Sequence, residues 1–179
     1  MKPRLLALAC VCLGGCGALE SGGPSSTQTA NLARAQATHE YPSTAPAQSA
    51  VGGAAAPDSA IYTFVMAYIN WDADTVTADM RALAAHSIGQ ARAAVQLAAA
   101  QTAGDYELRR GGVRNSGRVE AIAPLIGHRN EYAVVTRERT SATDTTAYQG
   151  LRPAWHLALA TVARLSSGQW VVSGWQPES

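Results

Sequence analysis

The chain has 179 residues, with 14 Lys and Arg against 13 Asp and Glu and a formal net charge of +1. Charge this close to neutral supplies no bulk attraction to nucleic acid, and no nucleic-acid partner is expected. The cysteines, Cys10, Cys12 and Cys16, all lie at the start. The remainder therefore has no disulfide and no thiolate metal site, and no cofactor or metal is expected from its motifs.

In chain order, Lys2 and Arg4 form a basic start and Leu5 to Leu13 a short apolar run. Small residues Gly14 and Gly15 then precede Cys16. This is the layout of a secretory signal, and the run is too short to span a bilayer. The pattern Leu13-Gly14-Gly15-Cys16 resembles the lipobox of bacterial lipoproteins. The resemblance implies a diacylglycerol on the Cys16 sulfur and cleavage just before that residue. Residues 1–15 are then the signal peptide, Cys16 the lipidation site, and the protein sits on the extracytoplasmic face of the cell membrane. Subtracting Lys2 and Arg4 from the 14 basic residues leaves 12 against 13 acids, a mature charge of −1.

Residues 16–57 are Gly, Ser, Thr, Ala, Gln and Pro with few large apolar side chains. Such a segment buries too little apolar surface to offset its ordering entropy, so a disordered tether is expected. A flexible chain of ~40 residues has an r.m.s. reach of roughly 35 Å.

Residues 58–179 have a different texture. Ile61, Phe64, Val65, Tyr68 and Ile69 make one apolar stripe of an amphipathic helix that starts at Pro57 or Asp58 and closes at Trp71-Asp72. A second helix is expected over Thr75–Ala85, with Val76, Met80 and Leu83 inward. Ser87-Ile88-Gly89-Gln90 matches a capping box. The helix it opens carries Ile88, Ala91, Val95, Ala98 or Ala99, and Thr102 on one face. After Gly111-Gly112 the period turns to two. Strands are expected at Arg118–Ile126, Glu131–Thr140, Trp155–Leu165 and Gln169–Trp175. Pro124 marks an edge or bulge, and Pro177 ends the last strand.

Helices followed by an antiparallel meander define an α+β domain. Three N-terminal helices pack on a curved antiparallel sheet, giving a cone-like shape. The element order over Asp58–Gln176, closing on Gly168-Gln169-Trp170-Val171-Val172-Ser173-Gly174-Trp175, looks like the nuclear-transport-factor-two-like fold. Within that fold the domain is similar to the periplasmic cone domains of type IV secretion and conjugation machines, and to Mce-associated membrane proteins. Those relatives carry a transmembrane helix where this chain has its lipobox-like motif. The resemblance implies a non-enzymatic module that binds an envelope protein. Other members of the fold are isomerases and cyclases that place an Asp or His in the cone. The alternative is therefore a small apolar ligand, bound or turned over in the cone cavity.

For that alternative His156 and Asp72 are the catalytic candidates. His156 opens a strand and is the general-base candidate if its face points into the cone, whereas Asp72 lies at a helix junction where Asp commonly caps. Arg109, Arg110, Arg114 and Arg118 form a basic loop with no aromatic residue to stack a base. Binding candidates are Trp175, Tyr148 and Arg152. Trp170 and Trp175 are an odd number of residues apart, so a regular strand turns them to opposite faces, one into the core and the other to the cone mouth or the outer face. Tyr148 and Arg152 belong to the loop Ser141–Pro153, longer than a hairpin needs.

Overall fold

The computed structural model describes residues 49–144 and 151–178. All of these belong to one compact unit, Pro46–Ser179. Cys16, Tyr148 and the expected signal peptide lie outside the described residues.

Helix α1 spans Pro57–Ile69 and opens on a proline at its first turn, where a missing N–H costs nothing. The predicted stripe is its buried face, with Ile61, Phe64, Val65 and Ile69 in the core. Asn70 ends it in extended backbone, and Trp71–Asp72 forms the two-residue strand β1. Helix α2 is Val76–Ala85 and α3 is Gly89–Thr102. On α3 the buried residues are Ala91, Val95 and Ala99, small enough for close approach to its neighbours. A fourth, short helix α4, Tyr106–Arg110, occupies what reads as loop in the sequence. Asp105 caps it by accepting from the Leu108 N–H at 2.9 Å.

Strands β2 (Arg114–Pro124), β3 (Glu131–Ser141), β4 (Ala154–Arg164) and β5 (Trp170–Glu178) follow. The sheet order is β1-β2-β3-β4-β5, and every neighbouring pair is antiparallel. One face meets the helices. Val134, Ala158, Ala160, Val162, Val172 and Trp175 pack there with Ile61, Phe64, Met80, Leu83 and Val95.

Three expectations change. Strand β2 begins at Arg114, so the basic loop does not exist as such: Arg109 and Arg110 are helical, and Arg114 and Arg118 lie in the sheet. Pro177 does not end β5 but pairs with Ala158, and an edge strand tolerates the missing donor. The capping box does not form. Ile88 stands at the N-cap of α3 with no side-chain bond, and the Ser87 hydroxyl donates back to the Leu83 carbonyl at 3.1 Å. That bond finishes α2 instead of starting α3.

Two bulges set the sheet's facing. Between β2 and β3 the register steps past Glu120, since Val119 pairs with Thr136 and Ala121 with Val135. Between β4 and β5 it steps past Ser173, since Thr161 pairs with Gly174 and Val162 with Val172. An extra residue reverses the facing of everything beyond it and bends the strand. Trp170 and Trp175, expected on opposite faces, therefore both pack on the helix side. Trp175 is only 3% exposed and makes edge contacts with Phe64 and Tyr68. Its candidacy as an exposed binding residue is corrected by this burial.

Both sheet edges are held at particular points by the chain itself. At the β2 edge, the Asn70 side-chain amide takes the Gly117 N–H at 2.9 Å and donates to its carbonyl at 3.2 Å. At the β5 edge, Gln90 does the same to Trp175, accepting at 2.6 Å and donating at 2.9 Å. The Ile88 N–H donates to the Val172 carbonyl at 3.1 Å, and Ala54 and Trp170 exchange a bond pair. The domain's contacts thus begin ahead of Asp58: Val51 N–H also donates to the Ala85 carbonyl at 2.8 Å.

Candidate functional site

Two features of the domain are candidates for binding. The first is the open mouth of the cone, a cavity of about 510 Å³ between the helix-facing side of the sheet and the ends of the helices. Tyr68 and Trp71 wall it from α1 and β1, Met80 from α2 and Thr102 from α3. Glu138 and Asn115 line it from the sheet, and Arg152 and His156 stand on the β4 side.

Glu138 was not visible as a site residue in the sequence. Its strand position matches Thr136 and Val134 in facing, which turns the carboxylate toward the helices. There Thr136 donates to one oxygen at 2.5 Å and Asn115 to the other at 2.8 Å. Asn115 also donates to the Ile69 carbonyl at 2.8 Å, and its oxygen accepts from Thr140 at 3.1 Å. This set fixes the amide's orientation and leaves Glu138 purely an acceptor. Burial raises the Tyr68 phenol pKa, the indole of Trp175 works against that, and the Glu138 charge adds to it. Among the described residues the Trp175 Nε1 has no hydrogen-bond partner at ordinary geometry.

The second feature is the sheet face turned away from the helices. Register sets its rows. Arg118, Arg137 and Trp155 stand side by side across β2, β3 and β4. Ala121, Val135 and Leu157 make the next row, and Ala123, Ala133 and Leu159 the one after. Trp155 is 63% exposed and Leu157 44%. The Arg137 guanidinium lies 5.7 Å from the Trp155 ring centroid, and Arg118 pairs with Glu120 at 2.6 Å.

The sequence candidates fall unevenly on this map. His156 is opposite Thr136 and does face the cone mouth, although it remains exposed. Asp72 does not: its carboxylate accepts from the Asp74 and Thr75 N–H groups at 3.0 Å each and caps the turn into α2. Those bonds lower its pKa. Arg152 reaches the rim of the mouth. A larger cavity of about 650 Å³ lies between α1, α2 and residues 52–54, lined mainly by Ala60, Phe64, Ala67, Ala82 and Leu83. Its one imidazole, His86, is already engaged through Nδ1 with the Val51 carbonyl at 2.7 Å. Among the described residues no cluster of His, Cys, Asp and Glu is grouped to hold a metal, and no helix is long and apolar enough to cross a membrane.

No protein-family model and no curated protein matches this chain. Solved structures similar to it include the VirB8 protein of Agrobacterium tumefaciens, at 13% identity and TM-score 0.49, covering 68% of this chain and 90% of that one. The soluble domain of TrwG, from the type IV secretion machinery of Bartonella grahamii, aligns at 18% identity and TM-score 0.46 over 66% and 91%. A domain of unknown function with a cystatin-like fold from Nostoc punctiforme aligns at 18% and 0.41 over 68% and 75%. At these identities and scores the likenesses carry no residue role and no partner over to this chain.

Proposed function

We propose that this protein is a lipid-anchored extracytoplasmic lipoprotein, held through Cys16, whose domain is a protein-binding module of a cell-envelope assembly. The observation that supports the binding role is the uncovered face around Trp155 and Leu157. Large exposed apolar side chains on adjoining strand rows, flanked by arginines, are the composition of an interface core. The held points on the sheet edges favour the same face, because a partner cannot extend the sheet at Gly117 or Trp175, where Asn70 and Gln90 already hold the backbone. The element order from Asp58 to Gln176 supports a secretion or conjugation machine as the kind of assembly.

The test is photo-crosslinking in cells from a reactive side chain placed at position 155 of the full chain. An adduct with an envelope protein that disappears when Leu157→Asp is added supports the reading. A chain that yields no adduct and stays monomeric sinks it. The cone mouth is not the closed apolar pocket that a small apolar ligand requires: Asn115, Glu138 and Thr140 line it, and Asp72 is elsewhere.

A further inference from the structure

The cone mouth holds a negative charge that is in no ion pair among the described residues. Glu138 accepts hydrogen bonds only from a neutral hydroxyl and a neutral amide. Among the described residues it makes no ion pair with Arg or His, although Arg152 and His156 line the same cavity. A carboxylate offers about four acceptor directions, and two are taken. The Asn115 donors are both spent, on Glu138 and on Ile69. Among the described residues, the acceptor capacity left on Glu138 therefore has no further donor.

The walls suit a cation as well. Tyr68 and Trp71 bring two aromatic rings to the cavity, and Met80 adds a polarizable thioether. A carboxylate beside aromatic rings in a partly desolvated cleft recognises an ammonium or guanidinium group. The charge pairs with the carboxylate, and the attached alkyl part lies against the rings. At Glu138 itself an anion is disfavoured, although Arg152 and His156 line the β4 side of the mouth. A neutral apolar molecule would leave the carboxylate desolvated without compensation. The volume, about 510 Å³, fits a small ligand.

We propose that the cone mouth is a binding site for a small organic cation, with Glu138 as counter-charge, Trp71 and Tyr68 as flanking rings, and Thr136 and Asn115 as the residues that position the carboxylate. This site lies on the helix side of the sheet and is independent of the face around Trp155.

The full-length protein would be titrated with n-butylammonium, with agmatine and with n-butanol, following indole fluorescence and heat. Both cations should bind at least tenfold more tightly than the alcohol, and Glu138→Gln should remove that preference. The tripeptide Gly-Lys-Gly distinguishes the two sources of such a group. Tighter binding than n-butylammonium assigns the amine to a peptide chain, and weaker binding assigns it to a free metabolite. Equal binding of alcohol and ammonium, or no binding of either cation, overturns the proposal. So does an unchanged preference in Glu138→Gln. The comparison of ammonium with alcohol on the unaltered protein decides the question even if that variant does not fold.

Discussion

At the scale of single residues, the polar groups of this domain are mostly committed to backbone. Asp72 spends its carboxylate on the turn before α2, and its lowered pKa follows first from the Thr75 N–H. A depressed carboxylate stabilises the fold above its unfolded pKa, near 3.9, and loses that contribution as pH falls through the folded value. Asp72→Asn keeps a capping oxygen but does not titrate. Melts of the two proteins should therefore differ at pH 7 and converge as the pH falls below about 4. Gly117 is committed by space. A Cβ there would lie 2.8 Å from the Glu138 Cγ, 3.0 Å from the Arg137 carbonyl and 3.0 Å from the Ile69 Cδ1. Gly117→Ala should cost about 1–3 kcal/mol in denaturant unfolding, because one of those contacts is backbone and cannot swing away. A cost near zero would show that α1 and β3 separate freely at this point.

At the scale of elements, the amphipathic stripe of α1 and the small-residue face of α3 form where their periodicity places them, since each depends only on residues three and four apart. The Ser87–Gln90 pattern shows where local reading stops. Its glutamine has a choice between the N-cap backbone and strand β5, and β5 wins because it offers a donor and an acceptor together. Gln90→Leu should strip both bonds from Trp175 and cost about 1–3 kcal/mol. Hydrogen exchange at the Trp175 amide should quicken by more than global destabilisation explains. If exchange there is unchanged, Gln90 is not what closes the β5 edge. The same bonds explain why Trp175 is a core residue: its backbone is tied to α3 while its ring stacks edge-on against α1.

At the scale of the whole molecule, the domain has two outward offers, an apolar sheet face bordered by arginines and a charged cone mouth. They lie on opposite sides of one sheet, so occupation of one does not block the other. The anchor proposed at Cys16 decides where both are displayed. Cys16→Ala should abolish incorporation of a fatty-acid probe and leave the precursor uncleaved or the protein released from membranes. Full labelling of that variant would remove the lipid from this account. Variants on the sheet face belong to a different class. Trp155→Ala should leave the melting temperature within the range of a surface change, about 0.5 kcal/mol, while reducing partner capture.

The sequence by itself determined the α+β class, the helix faces, the four long strands and the place of His156 near a strand start. These follow from local spacing, and local spacing is written in the chain. Only the tertiary structure decided that Trp170 and Trp175 share the helix side, because the bulge at Ser173 reverses facing through a register step that no single strand encodes. It also decided the site. Asn115 and Glu138 are 23 residues apart and meet through the pairing of β2 with β3. Their hydrogen bond depends on strand register, a long-range property. An isolated glutamate among arginines on a strand reads as a solvated charge until the neighbouring strand turns it inward.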